Sequence, residues 1–197
     1  MSLENYSRIA DWITTKDRRL LVHTGKVDIG QRITTALKQI AHEELSVPFE
    51  QIDVAPVRTG LAPDEGMTSG SNSIEQSGRA IRCAAATLRI KLRDMLAVKF
   101  GAAPVDWLLD KGVFHLPGTN HHYLVVELIE EVGPDARVDP AILPIARAKG
   151  ALPRPKMCGI AEMVQGSHRF IHDLDEPGMW HARIVRPPHI NARLKDI

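Results

Sequence analysis

Apolar residues along the first hundred positions switch between the spacing of strands and the spacing of helices. Residues 11–15 and 20–24 are rich in β-branched and large apolar side chains and flank a charged connection, which predicts a β-hairpin. From residue 29 the apolar positions lie three or four residues apart and predict a helix of about four turns that ends before Pro48. These positions are Ile29, Ile33, Leu37, Ile40, Ala41 and Leu45.

A short strand and a second long helix follow. Residues 51–57 have a short, imperfectly alternating apolar pattern, which predicts the strand. Residues 58–73 consist mostly of Gly, Pro, Ser, Thr and Asn, which predicts a long loop of the kind that is often functional. The helix is predicted from an apolar stripe at Ile74, Ile81, Ala85, Leu88, Leu92 and Leu96.

The second half of the chain is less regular. We expect another hairpin over residues 107–115 and a short helix or strand over 123–132. Five prolines give residues 134–155 the character of an extended linker. Beyond the linker, the β-rich runs at 169–171 and 180–185 predict strands.

These elements predict an α+β fold in which a β-hairpin, a helix, a strand and a helix form one unit. No Gly-x-Gly-x-x-Gly motif follows a strand, which excludes a Rossmann unit of the usual kind. We expect an α+β domain over residues 1–133, a Pro-rich linker over 134–155 and the opening strands of a further domain over 156–197.

Composition narrows the class of protein. The chain has 197 residues, a formal net charge of +1 and 44% hydrophobic residues, as in ordinary globular proteins. The balanced charge argues against a nucleic-acid binder, and no apolar run is long enough for a membrane span. Two distant cysteines, Cys83 and Cys158, and the absence of a signal-peptide pattern indicate a cytoplasmic protein with reduced thiols.

The loop that precedes the second long helix is the first candidate for a binding site. A helix start offers free backbone N–H groups, and small hydroxyl residues add donors and allow an anion to approach. The loop is therefore a candidate site for phosphate, and the alternative is that Ser71 or Ser73 only caps the helix. The candidate residues are Thr68, Ser69, Gly70, Ser71 and Ser73.

A second candidate lies between the first hairpin and the first long helix. Gly30 allows close backbone approach, and Gln31 brings an amide that can both donate and accept. The alternative is a strand-to-helix turn with a polar surface residue. Because both candidate loops precede helices in one unit, we expect them to face one pocket. The nine histidines form no metal-ligand pattern, and we assign no catalytic residue and no metal ligand.

Several blocks of sequence resemble one enzyme family. Gly-Lys-Val-Asp-Ile-Gly-Gln at residues 25–31 is similar to the Gly-Lys-Val-Glu-Met-Gly-Gln-Gly segment of the molybdenum-binding large subunit of the xanthine dehydrogenase and aldehyde oxidase family. Residues 41–57 and 59–78 resemble the helix, strand and cofactor-binding loop that follow in its nicotinate dehydrogenase and isoquinoline 1-oxidoreductase type. Residues 164–188 resemble the opening of that family's α/β hammerhead domain.

The resemblance implies a molybdenum-molybdopterin cofactor. Gln31 is then expected to bond near an oxo or dithiolene group, and residues 68–73 to hold the pterin or its phosphate. The implied reaction is hydroxylation of an aldehyde or an N-heterocycle with water as the oxygen source. Arg32 departs from the family pattern, which has Gly there. We expect Arg32 in the first helical turn, exposed, so that Arg32→Gly is tolerated.

The chain resembles only part of such a subunit. We therefore expect a truncated or split subunit whose partners are the remainder of the molybdenum subunit and a [2Fe-2S] subunit, and which alone retains no cofactor. The predicted strands at 169–185 are expected to pair with another copy, as a homo-oligomer, or to stay mobile. The alternative function is a non-catalytic binding or assembly domain that reuses the fold without the metal cofactor.

Overall fold

The computed structural model describes residues 2–145 and 155–196. The chain divides into two compact units, Met1–Ile160 and Ala161–Ile197. The first unit combines two small sheets with two long helices and holds the hydrophobic core. The predicted α+β fold class is confirmed.

The first sheet contains the predicted hairpin and the predicted strand. After a short helix α1 (Ser2–Asn5), strands β1 (Ile13–Lys16) and β2 (Arg19–Val22) pair antiparallel. Both residues of the connecting turn have positive φ, as a two-residue hairpin of this handedness requires. Strand β3 (Ile52–Val54) pairs parallel to β2, and helix α2 (Ile33–Leu45) makes the crossover between them.

Helix α2 packs against the longest helix, α3 (Arg79–Phe100). Most residues of the predicted stripes are buried in the core, including Leu37, Leu45, Leu88 and Leu92. Burying such side chains removes apolar surface from water and is the main stabilising contribution in this unit. Periodicity therefore identified both helices correctly.

The first residue of each predicted stripe precedes the α-helix and is not buried in the hydrophobic core. Ile29 is 66% exposed in the loop before α2, and Ile74 is 49% exposed. Ile74 belongs to a π-helical turn, Ile74–Gly78, that leads into α3. A π turn inserts one extra residue, which rotates the preceding positions by about 100° relative to the stripe. Ile74 therefore faces away from the core.

The second sheet is built from β4 (Leu108–Asp110), β5 (Val113–His115) and β6 (His122–Leu124), all antiparallel. The predicted hairpin over 107–115 is thus confirmed. The segment 123–132 contains the end of β6, the short helix α4 (Val125–Leu128) and a 3₁₀ turn (Ile129–Val132). Trp107 and Phe114 are fully buried and join this sheet to the common core.

Residues 134–145 combine turns with extended segments and are hydrogen-bonded to the rest of the first unit. The Val138 N–H donates to the Ser7 carbonyl at 2.8 Å. The Ile145 N–H donates to the carboxylate of Glu44 at 3.2 Å, and that fully buried carboxylate also accepts from Arg82 at 3.1 Å. Residues 146–154 of the predicted linker lie outside the described residues. The proposed domain boundaries remain predictions.

The second unit begins within a short helix, α5 (Ile160–Val164), and contains one 3₁₀ turn, Ile171–Asp173. The predicted strands at 169–171 and 180–185 are wrong, because no strand is formed between residues 155 and 196 of the structure. A strand needs a partner with which to pair its backbone, and composition alone supplies none. Trp180 is 95% exposed. The hammerhead assignment remains a prediction.

Three further features bear on function. Cys83 and Cys158 are both free thiols, as predicted. Among residues 2–145 and 155–196, no group of three or more His, Cys, Asp or Glu side chains could hold a metal ion. Within those same described ranges, no helix has the length and apolar character needed to cross a lipid bilayer.

We predict that His23 makes stability pH-dependent. Its ring nitrogen Nε2 lies 2.7 Å from the Thr14 hydroxyl, and burial lowers its pKa below the ordinary value. The unfolded chain therefore binds a proton that the folded protein does not, and the free energy of unfolding falls as the pH drops through about 6.5.

Urea unfolding measured across this pH range checks the prediction. His23→Gln is expected to flatten the decrease, and the exposed control His172→Gln is expected to leave it unchanged. Equal pH profiles for the wild-type protein and His23→Gln would contradict the assignment.

Candidate functional site

The two candidate loops are in direct contact. We call residues 25–31 the glutamine loop and residues 66–73 the serine loop. The Val27 N–H donates to the Thr68 hydroxyl oxygen at 2.8 Å. Lys26 reaches from the glutamine loop to the carbonyl of Met67 at 3.3 Å. The structure therefore brings the loops together at Val27 and Thr68.

The carboxylate of Glu65 holds this junction. Its Oε2 atom accepts from the Gly25 N–H at 2.8 Å and from the Ser77 hydroxyl at 2.7 Å, and it lies 3.0 Å from the Thr24 hydroxyl. Its Oε1 atom accepts from the Ser2 hydroxyl at 2.9 Å. One side chain thus joins α1, the end of β2 and the π turn. Sequence reasoning did not identify Glu65 as a site residue, although it is one of only two acids in a loop of small and polar residues.

Gly25 is required by the closeness of the two segments. A Cβ atom at this position would lie 2.0 Å from the Pro63 carbonyl oxygen and 3.0 Å from the Glu65 nitrogen. Any side chain would therefore push the segment that carries Glu65 away from β2. This contact fixes where the serine loop begins.

The Gln31 side chain is turned back onto its own loop. Its Oε1 accepts from the Ile29 N–H at 2.6 Å, and its Nε2 donates to the Val27 carbonyl at 2.9 Å. Gln31 is exposed, and Gly30 beside it has a φ of 110°, which favours glycine. The Gln31 amide therefore shapes the loop in this conformation.

The start of α2 already has an anion. Asp28 Oδ1 accepts from the backbone N–H groups of Gly30 at 3.0 Å and Arg32 at 3.3 Å, and Oδ2 accepts from the Thr34 hydroxyl at 3.1 Å. A carboxylate at a helix N-terminus is favourable because the helix dipole is positive there. Asp28 thus satisfies two N–H groups that precede α2 and places a negative charge at this helix start.

The serine loop presents donors that the protein does not use. Within residues 2–145 and 155–196, the backbone N–H groups of Thr68, Ser69, Gly70 and Ser71 donate to no protein acceptor. Gly70 and Ser71 both have φ near 60°, so the chain curls at this point. Ser73, at the N-cap position, makes no side-chain capping bond. The geometry therefore does not support the alternative that Ser73 caps the helix.

The position and burial of Arg32 differ from those expected from the sequence. It precedes α2 as the N-cap residue, with φ 59° and ψ 37°, and is only 7% exposed. Its Nε and Nη2 atoms have no hydrogen-bond acceptor in the described part of the chain. A left-handed backbone conformation strains any residue with a Cβ. This conformation explains why glycine suits the position, whereas sequence periodicity placed Arg32 in the helix and at the surface.

Comparison with known proteins identifies the family. A model of the molybdopterin cofactor-binding domain matches residues 5–138. The chain belongs to this family. The matched domain contains both the glutamine loop and the serine loop.

Relatives of this molybdopterin cofactor-binding domain are subunits of larger enzymes. A subunit of the nicotinate dehydrogenase of Pseudomonas putida is 29% identical over 179 residues, which are 88% of this chain and 15% of that protein. The gamma subunit of the 6-hydroxypseudooxynicotine dehydrogenase complex of Paenarthrobacter nicotinovorans is 35% identical over 122 residues, or 61% of this chain and 15% of that protein.

A solved structure shares the fold of the domain. CO dehydrogenase from Oligotropha carboxidovorans superposes with a TM-score of 0.51 and 25% sequence identity, over 59% of this chain and 15% of that one. The chain therefore spans about 15% of the length of each of these three proteins.

We predict that the left-handed conformation of Arg32 is costly. Arg32→Ala and Arg32→Gly both remove the guanidinium, but only glycine also relieves the strain. The glycine variant is expected to be more stable than the alanine variant by about 1 kcal/mol. Urea unfolding of the two variants measures the difference, and an alanine variant of equal or greater stability would contradict the prediction.

We predict that Glu65 is the main support of the junction. Glu65→Gln keeps the shape but replaces one acceptor oxygen by a donor, so it is expected to destabilise the protein by about 2 kcal/mol. The matched control is Asp64→Asn, because Asp64 is exposed and its carboxylate accepts from Gly66 alone among the described residues. Urea unfolding distinguishes them, and equal effects of both changes would refute the role given to Glu65.

Proposed function

We propose that this chain forms one wall of the molybdopterin site of a molybdenum hydroxylase. In this proposal the serine loop holds the phosphate of the cofactor through Thr68, Ser69, Gly70, Ser71 and Ser73. The observation that carries the proposal is the run of unused backbone donors in the serine loop, held against the glutamine loop by Val27 and Glu65.

The chemistry of the donors fits a phosphate group. Backbone N–H groups and hydroxyls from a curled loop before a helix are a common anion-binding arrangement. The sequence places no carboxylate between residues 66 and 73 that would repel an anion. The preceding acids are engaged, since Glu65 accepts from Gly25 and Ser77, and Asp64 accepts from Gly66.

Gly30 and Gln31 form the second part of the proposed site. Gln31 lies on the neighbouring loop with a side-chain amide that can both donate and accept. To reach a cofactor, the amide exchanges its bonds to Ile29 and Val27 for bonds to the ligand. Gly30 leaves room beside it, since glycine adds no side chain.

A molybdenum-molybdopterin group supplies oxidation of an aldehyde or N-heterocycle carbon, with water as the oxygen source. This chain contributes binding and orientation. The carboxylates of the two loops and the intervening turn do not serve as a base, because Asp28, Asp64 and Glu65 each hold neighbouring backbone or hydroxyl groups. The base of the reaction is therefore expected from another part of the enzyme.

Exposed apolar side chains lie on the segments that form the proposed site and support a larger assembly. Val27, Ile29, Met67 and Ile74 are all substantially exposed and belong to the two loops or the π turn. Apolar groups concentrated on one face typically mark a surface that another protein covers. We propose that the remainder of a molybdenum subunit covers it and that a [2Fe-2S] subunit receives the electrons.

One observation favours the alternative of a non-catalytic binding domain. The Gln31 amide has both of its functions satisfied inside its own loop, and a buried Arg32 adjoins it where the resembled family has glycine. A domain of this kind would bind phosphate without taking up molybdenum. Metal content therefore separates the two functions.

We predict that the 197-residue chain alone binds phosphate and retains no molybdenum. One wall offers donors for an anion but does not enclose a cofactor on several sides. The chain is expressed in cells that make molybdenum cofactor, and bound metal is measured. Inorganic phosphate is then titrated while backbone amide signals are followed by NMR, and the signals of residues 68–71 are expected to shift.

Substitutions in the serine loop test whether phosphate binds there. The double change Ser69→Ala and Ser71→Ala is expected to weaken phosphate binding several-fold, and the control Ser167→Ala, in the second unit, is expected to have no effect. Stoichiometric molybdenum with turnover of aldehydes would overturn the incomplete-site part of the proposal. Phosphate shifts absent from the serine loop would overturn the site itself.

A further inference from the structure

Lys26 is a buried cation beneath the serine loop. Its residue is 3% exposed, and its Nζ donates to the backbone carbonyls of Glu65 at 2.6 Å and Met67 at 3.3 Å. In the portion of the chain that the structure describes, this ammonium forms no ion pair with a carboxylate. A buried charge held only by neutral dipoles is costly, and an anion bound nearby stabilises it.

The contact with Met67 determines which way the next peptide group faces. The chain contains no cis peptide among its described residues, and in a trans peptide the carbonyl and the following N–H point in opposite directions. Because the Met67 carbonyl faces Lys26, the Thr68 N–H faces away from it. That N–H has no acceptor in the described residues.

The Thr68 hydroxyl is oriented in the same region. Its oxygen accepts from the Val27 N–H at 2.8 Å, so its proton remains available to a ligand. Thr68 thus offers two adjacent donors, and both depend on contacts with neighbouring residues of the glutamine loop. Lys26 and Val27 supply those contacts.

We infer that Lys26 is a positioning residue for phosphate at the serine loop. It fixes the 67–68 peptide with the Thr68 N–H outward, and its positive charge polarises that peptide into a stronger donor. A neutral side chain of the same length fills the space but lacks the charge. This inference rests on the proposed function and adds a residue outside the loop that carries the ligand.

The neighbouring carboxylate of Glu65 is occupied by other donors. Glu65 directs that carboxylate toward Gly25, Thr24 and Ser77, while only its backbone carbonyl faces Lys26. The serine loop itself contains no acid between residues 66 and 73. The ammonium of Lys26 is the charged group that directly contacts the 67–68 peptide, through the Met67 carbonyl.

The test compares Lys26→Met with the exposed control Lys91→Met in the full chain. Inorganic phosphate is titrated at constant ionic strength, and the Thr68 amide is followed by NMR. Lys26→Met is expected to weaken phosphate binding about tenfold, the effect of losing one charge-assisted contact. Lys91→Met is expected to bind as the wild-type protein does. Retained protection of the Val27 amide against hydrogen exchange in Lys26→Met reports that its bond to Thr68 is intact.

Each outcome decides a separate point. Equal phosphate affinity of Lys26→Met and the wild-type protein overturns the role of Lys26 and leaves the proposed phosphate site standing. No phosphate binding by the wild-type protein overturns the site, and the inference with it. If Lys26→Met does not fold, the wild-type titration decides: a Thr68 amide that stays constant while Ser69–Ser71 shift rules out the proposed contact.

Discussion

The hydrogen bonds to the Glu65 carboxylate are the constraint on which the rest of the site depends. They join α1, the end of β2 and the π turn before α3, which are distant in sequence. A charged acceptor with several donors is among the stronger polar interactions in proteins, and here it is partly shielded from water. It supplements the contacts of Lys26 and Val27 that hold the serine loop beside the glutamine loop. The free backbone donors of the serine loop are therefore positioned by contacts of the residues that precede them.

Two groups of opposite charge, the Glu65 carboxylate and the Lys26 ammonium, hold the two loops in place. The Glu65 carboxylate accepts hydrogen bonds from several donors, and the Lys26 ammonium donates to the backbone carbonyl of Glu65. Asp28 performs the corresponding task for the glutamine loop, where it satisfies the first N–H groups before α2. The two loops are thus ordered before any ligand arrives, and the entropy cost of ordering them is met on folding. Preorganisation of this kind favours binding, because fewer groups lose freedom when the ligand binds.

The sequence predicted those features that depend on local periodicity. The hairpin, α2, β3 and α3 follow from the spacing of apolar residues, and the donor-rich loop follows from its composition. The roles of Lys26 and Glu65 were not predictable, because most of their partners lie 39 to 63 residues away and only the fold brings them together. Arg32 was misplaced because it lies before α2 in a left-handed conformation, which the spacing of apolar residues does not reveal. The strands expected after residue 168 failed because composition does not supply a pairing partner.

The π turn at Ile74–Gly78 separates two requirements that one regular helix would couple. Helix α3 must present Ile81 and Leu88 to the core, while Ser77 must meet Glu65. A continuous α-helix would lock both contacts to one angular register, so that a change in either would disturb the other. The wider π turn changes the angle between the Ser77 contact and the buried face of α3. The offset lets Ser77 turn toward Glu65 while Ile81 and Leu88 keep their place in the core, so one continuous helical segment serves both contacts.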